Sequence, residues 1–217
     1  MRLFQTSIFL TALFLLSGCF EIVEELNHKA NGSGNFTYTL NLSRSKEKLA
    51  TILSLDSFGG LRIPKQADIQ EQLQKGTELL DGKKGISNVQ LKTDYDNFIF
   101  VISFEYSNIA SFNAAARIIH ENMSPYNQVY QPIFELDSSG IKRHPDAHSS
   151  YLLGHIQMKN PSILKDADYT TIFRFEREVD AVGNIAKLSK SKKAVMYKYK
   201  VGQLAQNSKL LEQEIHW

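Results

Sequence analysis

The chain has 217 residues, 42% hydrophobic and 11% aromatic, with 25 basic against 23 acidic side chains and a formal net charge of +2. That apolar content is enough to build a sizeable core, and a near-neutral balance supplies no global attraction to nucleic acid. A single cysteine excludes an internal disulfide, and neither a Gly-x-Ser-x-Gly turn nor a Gly-rich phosphate loop between strand and helix is present.

Met1-Arg2 opens the chain with a positive charge, Leu3 to Leu16 is dominated by Phe, Ile and Leu, and Ser17-Gly18-Cys19 follows. A charged start, an apolar run shorter than the ~20 residues of a membrane span, and small residues at its end form a secretory signal peptide. The tetrad Leu16-Ser17-Gly18-Cys19 resembles the lipobox of bacterial lipoproteins. The resemblance implies a signal peptide over 1–18, cleavage before Cys19, acylation of the Cys19 thiol, and one mature α+β periplasmic domain over 19–217. Because Phe20 and not Asp follows the cysteine, it further implies the periplasmic face of an outer membrane. Several acyl chains on one residue hold a protein firmly to a bilayer, where one chain binds only reversibly.

No Ser/Gly-rich tether follows Cys19. Phe20 to Leu26 already reads as a strand, Asn31-Gly32-Ser33-Gly34 as a turn, and Phe36, Tyr38, Leu40 and Leu42 alternate with polar residues. These two runs predict a β-hairpin beginning within a few residues of the bilayer. Residues 45–57 and 67–81 predict helices. Leu49, Ile52 and Leu53 share a face of the first, and Asp68 with Glu71 suggests a capping box opening the second. Gly59-Gly60 and Pro64 separate them.

A second hairpin is predicted from Val89, Leu91 and Thr93, a turn at Asp96-Asn97, and the aromatic run Phe98, Phe100, Ile102, Phe104 and Tyr106. Asn108 is a plausible N-cap for an amphipathic helix carrying Ile109, Phe112, Ala116, Ile119 and Met123. Beyond it, Ile133 to Leu136 reads as a strand ending at Asp137-Ser138-Ser139-Gly140, and 147–158 as a short helix. Thr171, Phe173 and Phe175 read as a strand, as do Val195, Tyr197, Tyr199 and Val201. The tail Leu211, Ile215 and Trp217 fits either a helical or a strand period and is read as a strand ending at an aromatic edge. The fold expected is α+β: an antiparallel sheet built from hairpins, with two or three helices on one face.

Six groups of residues carry chemistry worth weighing. His144, Asp146 and His148, with His155 further on, form the densest set of metal-capable side chains. A structural zinc wants four nitrogen or sulfur ligands, and His148 and His155 on one helix would stand ~10 Å apart, so a polar loop is the simpler reading and no metal is expected. Lys187, Lys190, Lys192 and Lys193 cluster between two predicted strands. They read as a solvated hairpin tip or, more sharply, as a contact for anionic lipid headgroups. Glu176 and Glu178 beside Arg174 read as a surface charge set and not an acid/base pair, and Ser149 and Ser150 beside His148 do not make a triad. Asn31, Asn35 and Asn41 fit the Asn-x-Ser/Thr pattern, which has little weight in a bacterial chain. The aromatic run 98–106 is either filled core or the floor of an apolar cavity under the helices.

The function expected is that of a membrane-anchored envelope lipoprotein acting as a non-enzymatic binding or assembly module. It would have no catalytic residue, no cofactor and no nucleic-acid partner. Its partners would be the bilayer, through acylated Cys19, and a further envelope component, either a protein or the peptidoglycan side of an assembly. A carrier or sensor of an apolar ligand is the alternative, and a metal-assisted hydrolase using His144, Asp146 and His148 is the third reading.

Overall fold

A strand with one covered face alternates apolar and polar residues, and the chain does this from Glu21 onward. In the computed structural model, which describes residues 20–58, 61–123, 129–145, 164, 166–182 and 185–217, the first hairpin is β1 (Glu21–His28) and β2 (Gly34–Asn41), paired from Glu21↔Asn41 to His28↔Gly34. The second is β5 (Ile86–Asp94) and β6 (Ile99–Tyr106), and β6 zips antiparallel onto β2. Between the hairpins lie α1 (Lys46–Leu53), a two-stranded ribbon of β3 (Ser57–Phe58) and β4 (Leu61–Arg62), and α2 (Gln66–Leu80); α3 (Ile109–Met123) follows β6.

The rest of the chain completes this sheet and builds a second one. β9 (Asp168–Phe175), β11 (Lys187–Leu188) and β12 (Ala194–Lys200) extend the first to seven strands in the order β11-β12-β9-β1-β2-β6-β5. β7 (Phe134–Leu136), β8 (Gly140–Arg143), β10 (Ala181–Val182) and β13 (Gln213–His216) form a four-stranded sheet, β10-β13-β8-β7. A short α4 (Val201–Gln206) links β12 towards β13. The fold is α+β, as expected, with two differences. The β1–β9 pair is parallel, Glu21 beside Asp168, because the chain reaches β9 by a long crossover and not by a hairpin. The second sheet carries no pattern in the sequence, since β8 and β10 are too short to show alternation.

Residues of even number in β1, β2 and β6 point to one face of the large sheet, and so do the odd residues of β9 and β12. Leu26, Phe104, Tyr169, Phe173, Val195 and Tyr197 are buried there. α2 and α3 pack against each other and on β5. The small sheet supplies Phe134, Ile141 and Ile215 to the same core. Rings pack edge-to-face or tilted through it: Phe36–Phe112 and Phe112–Phe134 lie 5.0 Å apart between centroids, and Phe134–Phe173 6.1 Å. Gly34 is required by close approach, because a Cβ there would run into the Asn27 carbonyl and the Tyr106 ring.

Local signals shift by a few residues. Asp68 does not cap α2; it is the third helical residue, and its carboxylate takes the Lys65 N–H at 2.9 Å. The helix begins at Gln66, with Lys65 in the extended cap geometry before it. Asn108 caps α3 as expected, accepting the Ser111 N–H at 2.8 Å. Residues 45–57 are α-helical only over Lys46–Leu53, after a 3-10 turn over Ser43–Ser45, and Val201 begins α4 instead of ending β12. The tail is β13, after which Trp217 packs on Phe175 at 5.3 Å under the Arg177 guanidinium. The expected helix over 147–158 lies outside the described residues.

Candidate functional site

The large sheet is packed differently at its two ends. Beneath the row Leu26–Phe36–Phe104 the aromatic core is filled. Beneath the row Ile22–Leu40–Phe100 it is not: a cavity of about 250 Å³ lies there with an exposed lining that is wholly apolar. Tyr38, Leu40, Phe100 and Ile102 form its floor, Ile69 and Leu73 of α2 and Leu53 of α1 its roof, and Leu42, Leu91 and Phe98 its margins. The two readings of the aromatic run 98–106 therefore both hold, on different halves of one strand. Phe104 and Tyr106 fill core, and Phe100 and Ile102 floor a cavity.

Helix packing explains the difference. In the second half of α2 Gly76 and Leu80 are buried, whereas Ile69 and Leu73 in the first half are only half covered. α1 buries no residue at all, and Leu49, Ile52 and Leu53 stay half exposed. Empty apolar volume costs ~24 cal/mol per Å³, so 250 Å³ is worth at most ~6 kcal/mol, reduced because the mouth is open. An apolar lining offers water few hydrogen-bond partners and suits an apolar occupant.

Phe98 adds a strained element to the rim. It sits at φ +54°, in the left-handed region where a bulky side chain costs ~1–2 kcal/mol, and its carbonyl takes the Leu42 N–H at 2.9 Å. The segment 42–55 beside the cavity is held at both ends by exposed polar contacts. Lys46 Nζ donates to Asn97 Oδ1 at 3.4 Å, and Lys65 Nζ reaches Asp56 at 2.8 Å and the Leu55 carbonyl at 3.2 Å. Solvent screens such contacts and they add little.

Beside the cavity a buried polar strut joins the two sheets. Arg143 on β8 is 1% exposed. It donates to Glu24 Oε2 at 2.9 Å, to the Tyr169 hydroxyl at 3.2 Å and to the Leu211 carbonyl at 3.2 Å. Burial and the nearby Glu24 carboxylate push the Tyr169 phenol well above its usual range, so it stays a neutral acceptor here. Gln213 extends the network, exchanging hydrogen bonds with Thr171 and donating to the Tyr199 hydroxyl at 3.2 Å. Nothing in Lys142-Arg143-His144 marks the middle residue as buried; only the alternation of β8, visible once its partner strands are placed, does so.

The residues singled out from sequence fall as follows. Cys19 and residues 1–18 lie outside the described residues; Phe20, the first described residue, lies at the cavity end of the sheet, where it packs on the core and its carbonyl takes the Asp168 N–H. Lys187, Lys190, Lys192 and Lys193 are all exposed on the β11–β12 hairpin. The tip lies beyond the Asn27–Arg174–Ala194 row, ~20 Å along the strands from the Glu21 row at 3.3 Å per residue. His144 approaches Glu135 at 3.2 Å, while Asp146, His148, Ser149, Ser150 and His155 lie outside the described residues. Among the described residues no three His, Cys, Asp or Glu side chains gather as metal ligands. Glu176 and Glu178 fall past the end of β9, because the strand stops at Phe175; Glu176 takes the Ala30 N–H at 2.8 Å, and Arg174 faces Glu25 at 3.9 Å.

A larger cleft of about 550 Å³ lies between β12 and β13, bordered by Ile185, Tyr199 and Leu210 but also by Lys209, Glu212, Glu214 and His216. Open and charged, it offers an apolar ligand little that water does not already occupy. Among the described residues no helix is long and apolar enough to cross a membrane.

No family model matches the chain and no curated protein matches it. Among solved structures it is similar to the NMR structure of the folded domain of Mycobacterium tuberculosis LppM, with 9% identity and a TM-score of 0.44 over 91% of this chain and 87% of that one. A likeness of that size establishes neither family nor activity.

Proposed function

We propose that this chain is a lipid-anchored protein of the bacterial envelope, at the periplasmic face of the outer membrane, whose body is a non-enzymatic module that binds an apolar chain. The observation carrying the binding step is the cavity between α1, α2 and the sheet, with its wholly apolar exposed lining. An apolar ligand gains ~0.8 kcal/mol for each methylene it buries, and no polar group at the lining must be desolvated to admit one. The anchor is carried separately, by the Leu16-Ser17-Gly18-Cys19 tetrad after an apolar leader.

Of the three readings weighed from sequence, the cavity favours the apolar-ligand module over a purely protein-binding one. Native mass spectrometry of the protein extracted from membranes in mild detergent tests it. The expected spectrum shows the acylated polypeptide together with a fraction carrying one amphiphile. A polypeptide that never retains an amphiphile, even after incubation with excess fatty acid, contradicts the binding step.

A further inference from the structure

The cavity and Phe20, the residue that follows Cys19 in the sequence, lie at the same end of the molecule, and the segment 42–55 beside the cavity has the composition of a membrane-surface helix. Leu40 and Phe100 of the cavity floor share a row with Ile22, two residues after Phe20. The segment 42–55 borders this cavity, with Leu42 and Leu53 in its lining. Its apolar side chains Leu49, Ile52 and Leu53 are half exposed, and Leu55 is 41% exposed. Arg44, Lys46 and Lys48 on the same stretch are exposed; the carboxylates that oppose them are Glu47 on the stretch itself and Asp94 near Lys46. Among the described elements α1 packs closely only on the Ser43–Ser45 turn that leads into it. Apolar residues interleaved with basic ones on a short, loosely held helix are what an anionic bilayer surface recruits.

We infer that α1 is a lid that docks on the anionic bilayer holding the anchor, and that its docking opens the cavity to the acyl chain of a lipid in that bilayer. Arg44, Lys46 and Lys48 meet the headgroups, while Leu53 leaves the cavity and enters the interface together with Leu49 and Ile52, its half-exposed neighbours on α1. The screened contacts Lys46–Asn97 and Lys65–Asp56 are the latches that release. The ligand thus passes from the membrane into the protein without crossing water. This inference rests on the apolar-chain reading of the cavity and on the acylated Cys19. It assigns the membrane contact to α1 and not to the lysines of the β11–β12 tip, which stand at the far end of the sheet.

The test places a reporter on the lid of the whole, processed protein. Ile52→Cys is labelled with an environment-sensitive nitrobenzoxadiazole dye, and the protein is reconstituted into vesicles of phosphatidylcholine alone or with phosphatidylglycerol in roughly equal parts. One dye per chain shows that Cys19 is blocked by its lipid; two dyes per chain overturn the anchor, and with it this inference. With one dye, emission is expected to rise about threefold and shift to the blue in the anionic vesicles, less in the neutral ones, as for a side chain entering the interface. Lys46→Glu with Lys48→Glu should abolish the rise, and Glu replacements at Lys187, Lys190, Lys192 and Lys193 should leave it intact. Water-like emission in both vesicle types overturns the lid. If such a protein still binds free fatty acid from solution, the cavity reading survives while the membrane route fails.

Discussion

Filling the cavity should stabilise the protein and close it to ligand, and both effects have a definite sign. Leu73 lies on α2, half buried, with its side chain in the lining. Leu73→Phe adds three side-chain carbons. At ~0.8 kcal/mol per buried carbon the gain is at most ~2.4 kcal/mol, and ring placement and lost rotamer freedom reduce it to about 1 kcal/mol. For a chain of this size that corresponds to a rise in Tm of ~2–4 °C. A closely packed site would respond in the opposite direction, since overpacking costs ~1–3 kcal/mol. Trp217, packed on Phe175 at the other end of the sheet, reports unfolding in urea without touching the site. Binding of a fluorescent fatty acid to the same variant should weaken by at least about tenfold, a loss of ~1.4 kcal/mol. A variant that is less stable, or equally stable with unchanged binding, would show that the space is not an open, ligand-sized cavity.

Three further outcomes follow from named contacts. Arg143→Met leaves Glu24 and Tyr169 facing each other without their cation, and should cost ~3–5 kcal/mol in urea denaturation, whereas adding Glu24→Leu should recover most of it. His28 is buried between Tyr106 and Trp217, and burial followed by the Arg177 guanidinium holds its pKa below the usual imidazole value, with Glu176 opposing. The unfolded chain then binds the extra proton first. Its contribution is whole above about pH 6.5 and falls as pH drops below that, by no more than ~1.4 kcal/mol per pH unit; His28→Gln should flatten that part of the stability profile. Cys19→Ala should leave an uncleaved or mislocalised precursor, and normal membrane fractionation of that variant would contradict the lipid anchor.

Much of the architecture was legible because one face of the sheet is covered. Alternation in Phe36–Leu42, Phe98–Tyr106 and Val195–Tyr199 marked three strands, and Asn108 marked the start of α3. What could not be read has specific causes. β8 is four residues long and β10 two, so neither shows a period, and the second sheet stayed hidden with them. The parallel pairing of β1 with β9 joins residues about 147 positions apart, which no local pattern encodes. The cavity was half legible. Leu49, Ile52 and Leu53, like Ile69 and Leu73, formed apolar helix faces, but the sequence is the same whether those faces meet a filled core or leave a gap. Arg143 was missed because a buried arginine in a basic tripeptide looks like surface until Glu24 is brought opposite it.

Methyl-resolved NMR during titration with decanoate tests the apolar-chain site most directly. Methyl signals of Leu53, Ile69, Leu73 and Ile102 should move together and saturate, while those of Ile141 and Ile215 in the core of the small sheet stay still. Shifts confined to Ile185 and Leu210 at the β12–β13 cleft, or none anywhere, would contradict a ligand held between the helices and the large sheet.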